Sequence, residues 1–274
     1  MTTKLSTAAN ARNASNADEL LSFDRVSKVY PTNDGLVRAL EDVNLAVHRQ
    51  EFISIVGRSG CGKSTLLKLV AGLHPVSAGA ISIDGRVVTE PVENLGMVFQ
   101  TPVLLAWRTV LSNIMLPVEI RKLPDRDGYL ETARRLIKMV GLEGYENRFP
   151  NELSGGMQQR VSICRALICN PPLLLMDEPF GALDALTRDE MSLELLRLWS
   201  ETKKTILFVT HSVEEAVLLS DRVIVMSPRP GRVSLDLPIE LPRPRGNETR
   251  YLSTFTDYTH LLRERIYEGS SMTG

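Results

Sequence analysis

Residues 57 to 65 read GRSGCGKST and follow the apolar run FISIV. Gly57, Gly62, Lys63 and Ser64 satisfy the spacing G-x-x-x-x-G-K-[ST], between a predicted strand and a predicted helix. Glycines let consecutive backbone N–H groups turn inward around phosphate oxygens, and a helix start adds partial positive charge. Gly57, Arg58, Ser59, Gly60, Cys61, Gly62, Lys63, Ser64 and Thr65 are therefore the expected phosphate cradle of a nucleotide. Lys63 reaches the β- and γ-phosphates, and Ser64 is a ligand for Mg²⁺. Cys61 is a small side chain within the loop rather than a nucleophile, although its place beside Lys63 and a helix start favours a lowered pKa.

A second stretch, LLLMDE at 173 to 178, is a buried strand that ends in two carboxylates. Asp177 falls at the carboxyl end of the sheet, where open α/β sheets bind ligands, and can hold Mg²⁺ through water. Glu178, one residue further, is placed to polarise an attacking water. Taken alone, such a pair also occurs as a solvated helix cap; the loop upstream gives it its chemical meaning.

Elements must exist to hold these groups. Predicted strands span Leu21 to Val29 and Val37 to Val47, then FISIV. A helix is expected over Ser64 to Leu73, closing at the His74-Pro75 step, where proline cannot continue the ladder. AISIDGRVVT (80 to 89) reads as a hairpin on its Asp84-Gly85 turn, and LGMVFQ (95 to 100) as a strand. From about 101 to 165 the texture becomes helical with charged faces, as in YLETARRLIKMVGL ending at Gly141, so an inserted helical subdomain is expected. Beyond Pro171, the runs LLLMD, TILFVT and DRVIVMS alternate with helical segments in parallel βαβ order. The segment 237 to 246 is a proline-rich connector, and after an Asn247 cap Tyr251, Phe255, Tyr258, Leu261, Leu262 and Ile266 fall at the spacing of an amphipathic helix.

Bulk properties narrow the function. A chain of 274 residues with 43% hydrophobic content supports a large α/β core. The formal net charge of -1 offers no basic excess for nucleic acid, so none is expected as a partner. Three cysteines, Cys61, Cys164 and Cys169, without zinc-ligand spacing point to a reducing compartment. The opening segment to about residue 19, rich in Ala, Asn, Ser and Thr, reads as a flexible tail without a secretory h-region. No apolar run reaches the roughly 20 residues a spanning helix needs, so work at a membrane would require another chain to supply the span.

LSGGMQQR (153 to 160) alone reads as a turn and helix cap. Placed between the glycine loop and the DE strand, it resembles the signature motif of the ATP-binding subunits of ATP-binding cassette (ABC) transporters. The resemblance covers about Leu21 to Val233. It implies a P-loop NTPase core with a parallel sheet, an N-terminal antiparallel β subdomain and an inserted helical subdomain, the nucleotide-binding domain running over 20 to 236. It also implies roles for particular residues. Gln100 is similar to the Q-loop glutamine that touches metal and water, Asp184 in GALD to the D-loop aspartate that communicates across a dimer, and His211 to the switch histidine at the γ-phosphate. Tyr30 resembles the A-loop aromatic that stacks on adenine, and Ser154, Gly155 and Gly156 resemble the signature residues that meet ATP bound by the opposite subunit.

MVFQTPVLLAWRTVLSNI, MDEPFGALDALTR and MSPRPGR together resemble the importer ATPases for nitrate, sulfonates and taurine, with Ala106 standing where many relatives have proline. The resemblance implies ATP hydrolysis with Mg²⁺, with Glu178, His211, Lys63 and Gln100 catalytic and Ser64, Gln100 and Asp177 around the metal. It implies a homodimer or a paired ATPase subunit, membrane permease partners, and indirectly an extracytoplasmic solute-binding protein. The place of action would be the cytoplasmic face of the bacterial inner membrane. Leu104, Leu105 and Trp107 have two readings, as core of the helical block or as lining of the groove that receives a permease helix. The alternatives are an ABC ATPase of another class, such as a soluble protein of DNA repair or the ribosome, and a regulatory protein that binds nucleotide without turnover.

Overall fold

The computed structural model describes residues 18–32 and 35–268. Most of the expected flexible tail, residues 1–17, lies outside the described residues, and Glu19 already belongs to the first strand. β1 (Glu19–Thr32), β2 (Gly35–His48), β4 (Ala78–Ile83) and β5 (Arg86–Val87) form an antiparallel sheet in the order β2-β1-β4-β5. Asp84 and Gly85 both take positive φ, 54° and 72°, as a two-residue type I′ connection between β4 and β5 requires. The second sheet is built from β3 (Phe52–Val56), β6 (Leu95–Val98), β7 (Leu173–Asp177), β8 (Thr205–Val209), β9 (Arg222–Met226) and β10 (Val233–Pro238). Its order is β10-β9-β3-β8-β7-β6, parallel throughout except for β10.

The pleat divides the central strands between two apolar layers. Ile53, Ile55, Leu173, Leu175, Leu207 and Val209 face β1, β2, β4 and α1 (Lys63–Val70). Phe52, Val56, Leu174, Met176, Ile206 and Phe208 face the remaining helices. That is why FISIV, LLLMD and TILFV read as unbroken apolar runs: both faces are covered.

The helical block comprises α2 (Val110–Ile120), α3 (Arg126–Met139) and α4 (Gly155–Leu167). Thr109, Asp125 and Ser154 cap them by accepting from Ser112, Gly128 and Met157 N–H groups. The expected limit at 165 falls inside α4, which runs on to Leu167, and Ile114, Ile137 and Val161 share one apolar layer with the parallel sheet. α5 (Ala185–Thr202) and α6 (Val213–Leu219) follow β7 and β8.

Three sequence expectations are corrected at element ends. α1 stops at Val70 rather than Leu73, because Gly72 turns the chain at φ 69° against the Glu90 backbone. Leu237 and Pro238, assigned to a connector, are strand residues paired with β9. Asn247 begins a 3₁₀ turn, Asn247–Tyr251, and the amphipathic helix α7 starts only at Ser253, running to Glu268. Phe255 and Leu262 are the buried apolar residues of α7 in the core. Arg245 explains why 239 to 246 is packed: its guanidinium donates to the carbonyls of Val217, Leu218 and Ser220 at the end of α6 and to those of Ile239 and Leu241. No described helix is long and apolar enough to cross a membrane.

Candidate active site

The parallel register decides which strand ends lie side by side. Ile55 pairs with Val209, and Val209 with Asp177, so the chain leaves β3, β8 and β7 at one level. The glycine loop, Glu178 and His211 therefore emerge together. A cleft of about 420 Å³ opens there, lined by Ala39, Ser59, Gly60, Gly62, Lys63, Ser64, Thr65, Gln100, Glu178 and Arg229.

Gly57, Gly60 and Gly62 all take positive φ, at 153°, 79° and 102°. At Gly62, the residue before α1, a Cβ would stand 2.6 Å from Leu40 Cδ2 and 3.0 Å from the Ala39 carbonyl oxygen. Both conformation and space thus demand glycine where the loop becomes helix. Lys63 Nζ is buried and donates to the Gly57 carbonyl at 2.8 Å and the Arg58 carbonyl at 3.2 Å, which folds the loop around its own ammonium. A loop of this form presents N–H groups and a fixed cation to phosphate oxygens.

Ser64 Oγ donates to Asp177 Oδ1 at 2.9 Å. Burial pushes the Asp177 carboxyl above the usual carboxylate range; the Ser64 hydroxyl opposes this and the neighbouring Glu178 charge adds to it. A serine hydroxyl and a carboxylate this close, with the Gln100 amide on the same cleft, make a small set of hard oxygen donors. Such a set suits Mg²⁺, which takes one or two carboxylates plus substrate phosphates and retains waters.

Glu178 itself has φ 46°, a left-handed conformation uncommon for a glutamate. Its N–H donates to the Val209 carbonyl at 2.9 Å, and its Oε2 lies 3.3 Å from His211 Nδ1. His211 is more than half exposed, whereas Glu178 is largely covered. The segment that carries His211 is braced by Glu215: Thr210 Oγ1 donates to Glu215 Oε2 at 2.6 Å and accepts from the Ser212 N–H at 3.0 Å.

Other expected residues lie elsewhere. Cys61 turns its thiol into the core, with Sγ 3.0 Å from where a Gly57 Cβ would stand. The expected lowering of its pKa is reversed, because desolvation raises the thiol more than Lys63 lowers it. Gly57 and Arg58 shape the loop through their carbonyls and do not line the cleft. Tyr30 is also outside the cleft; its ring meets His74 edge-on at 5.9 Å and carries Lys28 Nζ at 4.9 Å from its centroid. Asp184 caps α5, accepting from Thr187 N at 3.0 Å and Thr187 Oγ1 at 2.7 Å, which hold its carboxyl below the usual range. Gly155 and Gly156 face Leu183 and Thr187 of that same corner, and Ser154 caps α4, so the SGG segment does not reach its own chain's cleft.

The hydrophobic trio divides. Leu104 packs on the core, Leu105 lines a groove of about 480 Å³ together with Phe99, Val103, Leu116 and Ile120, and Trp107 is 74% exposed. Sequence reasoning missed Ala39 and Arg229 as cleft residues. The signal available for Arg229 is its place in MSPRPGR, a short proline- and glycine-bearing loop directly after a buried strand.

Known proteins resemble this chain over most of its length. The family model described as "ABC transporter" matches residues 40–181. An uncharacterised ABC transporter ATP-binding protein of Methanocaldococcus jannaschii is 48% identical over 247 residues, covering 90% of this chain and 92% of that protein. The taurine import ATP-binding protein TauB of Rhizobium johnstonii is 46% identical over 215 residues, 78% of this chain and 82% of that one. The aliphatic sulfonates import ATP-binding protein SsuB of Bacillus cereus is 41% identical over 230 residues, 84% of this chain and 90% of that one. Among solved structures, the dimeric post-hydrolysis state of an ATP-binding cassette bound to ADP and Pi superposes with a TM-score of 0.71 at 33% identity, covering 81% of this chain and all of that one.

Proposed function

The chain belongs to the ABC transporter family, and from that premise we propose that it is the ATP-hydrolysing subunit of an importer for a small anionic solute of the sulfonate or taurine class. The observation that carries this reading is the convergence on one cleft of the Lys63 loop, the Ser64–Asp177 pair and the Glu178–His211 pair.

The triphosphate lies on the glycine loop, where Lys63 trades its carbonyl partners for phosphate oxygens and Thr65 and Ser59 line the same wall. Ser64, Asp177 and Gln100 would hold Mg²⁺, which would supply neutralisation of phosphate charge. Glu178 accepts the proton of the attacking water, and His211 fixes the carboxylate and approaches the γ-phosphate. Tyr30 offers the ring face not occupied by Lys28 to the adenine.

Ser154, Gly155 and Gly156 stand away from their own cleft, which supports a head-to-tail pair of ATPase chains in which each completes the other's site. The dimeric cassette among the structural neighbours supports the same arrangement. Asp184 lies at the corner that would face the partner. Closure around ATP and reopening after hydrolysis supply the energy difference that moves a permease between two states. The apolar groove of Phe99, Val103, Leu105 and Ile120, with exposed Trp107 two residues after Leu105, suits a permease helix. On this reading the chain works on the cytoplasmic face of the inner membrane, and an extracytoplasmic binding protein delivers the solute to the permease.

The test is reconstitution with the permease pair and binding protein in liposomes, following phosphate release and labelled taurine. Stimulation of hydrolysis by taurine-loaded binding protein is expected. Release of phosphate that no sulfonate stimulates would remove the solute class, and nucleotide binding without any phosphate release would remove the ATPase role.

A further inference from the structure

The loop after β9 carries a cation to the rim of the glycine loop. Residues 227 to 232 read SPRPGR, and Arg229 lines the cleft with Ser59, Gly60, Lys63 and Ser64. Arg229 Nη2 comes within 3.8 Å of where a Gly60 Cβ would stand. The backbone that presents it is fixed on both sides. Gly231 N donates to the Ala39 carbonyl at 3.0 Å, and Glu41 N donates to the Gly231 carbonyl at 3.0 Å. Ser227 N donates to the Arg232 carbonyl at 2.9 Å, while the Arg232 guanidinium pairs with Glu41. A Cβ at Gly231 would stand 2.0 Å from the Cys61 carbonyl oxygen, so this loop lies directly on the phosphate loop and admits only glycine at the contact. Leu40 fills the space between Gly62 and Gly231, joining β2, the phosphate loop and the SPRPGR loop in one packing unit.

Within this fixed frame the charges are unequal in use. Lys63 already donates to two carbonyls and Glu178 lies against His211. Arg229 is exposed and, among the described residues, has no hydrogen-bond or ion-pair partner. An arginine held by a rigid loop, its guanidinium over a phosphate-binding turn, is prepared for bidentate bonding to phosphate oxygens. We propose that Arg229 is a nucleotide-binding residue, contacting the phosphates of the bound nucleotide from the side of Gly60. The proposal rests on the reading of this cleft as the ATP site. It adds to that reading a second cation which the G-x-x-x-x-G-K-[ST] pattern does not contain.

The experiment is isothermal titration of the purified full-length chain with ATP, ADP and adenosine at several salt concentrations, comparing wild type, Arg229→Ala, Arg229→Lys and Lys63→Ala. Arg229→Ala should raise the Kd for ATP and ADP about tenfold, as loss of a charge-assisted hydrogen bond does, and leave adenosine unchanged. It should also make log Kd less dependent on log salt, and Arg229→Lys should recover most of the affinity. These two readouts do not move if Arg229 merely supports the loop. Equal ATP affinity and equal salt dependence in wild type and Arg229→Ala overturns the proposal while leaving the ATP site intact. Should Arg229→Ala lose thermal stability, Arg229→Gln provides the same comparison at preserved length. Wild type that binds ATP no better than Lys63→Ala overturns the cleft assignment itself, and the Arg229 proposal with it.

Discussion

His211 Nδ1 stands 3.3 Å from Glu178 Oε2, joining the ends of two parallel strands across 33 residues of chain. Glu178 reaches this position only by adopting φ 46°, and its N–H bond to Val209 holds it there. Strain kept in place by surrounding structure is a mark of working positions. Replacing the carboxylate by an amide keeps the shape and removes the base. Glu178→Gln should therefore bind ATP with unchanged affinity and hydrolyse it about 10²–10⁴ times more slowly, the range for loss of a general base. Phosphate release at the wild-type rate would take Glu178 out of the reaction.

At the start of α1 the constraint is steric. Gly62 combines φ 102° with a Leu40 methyl group 2.6 Å from the position of a Cβ. Gly62→Ala should cost about 1–3 kcal/mol in backbone strain alone, with the Leu40 contact adding to it. Urea unfolding should show the loss, and ATP titration should show weaker binding, because the displaced turn no longer aims its N–H groups at phosphate. Gly144→Ala, at φ 87° with open space around its Cβ and outside the cleft, provides the control for backbone strain alone.

The brace behind His211 should make stability depend on pH. Burial pushes Glu215 above the usual carboxylate range, with the Thr210 hydroxyl and Arg188 opposing it. A carboxyl raised on folding favours the native state fully below its unfolded pKa, and that contribution is lost as pH rises through the folded value. Glu215→Gln keeps an acceptor for Thr210 and never ionises. Its Tm relative to wild type should therefore climb between pH 4 and pH 7.5, being smallest at the acid end. Parallel Tm curves for the two proteins would rule out a buried charge at this position.

Arg245 gives a structural test of the carboxyl-terminal region. Its guanidinium serves five carbonyls, three of them at the end of α6, the helix that follows His211. Arg245→Ala leaves those acceptors without a donor in a buried place and should destabilise the fold by about 2–4 kcal/mol. Hydrogen exchange should report faster opening in α6 and α7, with β1 and β2 little changed. Uniform acceleration across both sheets would mean that Arg245 supports the whole domain rather than this corner.

Much of the site is legible in the chain because the groups involved are close in sequence. Three glycines, a lysine and a serine within nine positions define a backbone path and the anion it suits, whatever lies around them. The buried strands are legible for a similar reason, since residues covered on both faces leave unbroken apolar runs. Motif order carries LSGGMQQR, Gln100 and His211, which would each be ordinary residues in isolation. Helix ends were harder to read: Asn247 has the chemistry of a cap, yet the chain makes a 3₁₀ turn there and begins α7 at Ser253.

By itself, then, the amino-acid order determined the phosphate loop, the pair of carboxylates at a strand end and the α/β class, all set by local backbone preference and hydrophobic period. Only the folded molecule decided that Ser64 bonds Asp177, 113 residues away, that Arg229 shares the cleft, and that SGG does not. The physical reason is register. Which side chains meet depends on how β3, β8 and β7 align and on how Leu40 fits between Gly62 and Gly231, and such long-range packing has no signature in any short stretch of sequence.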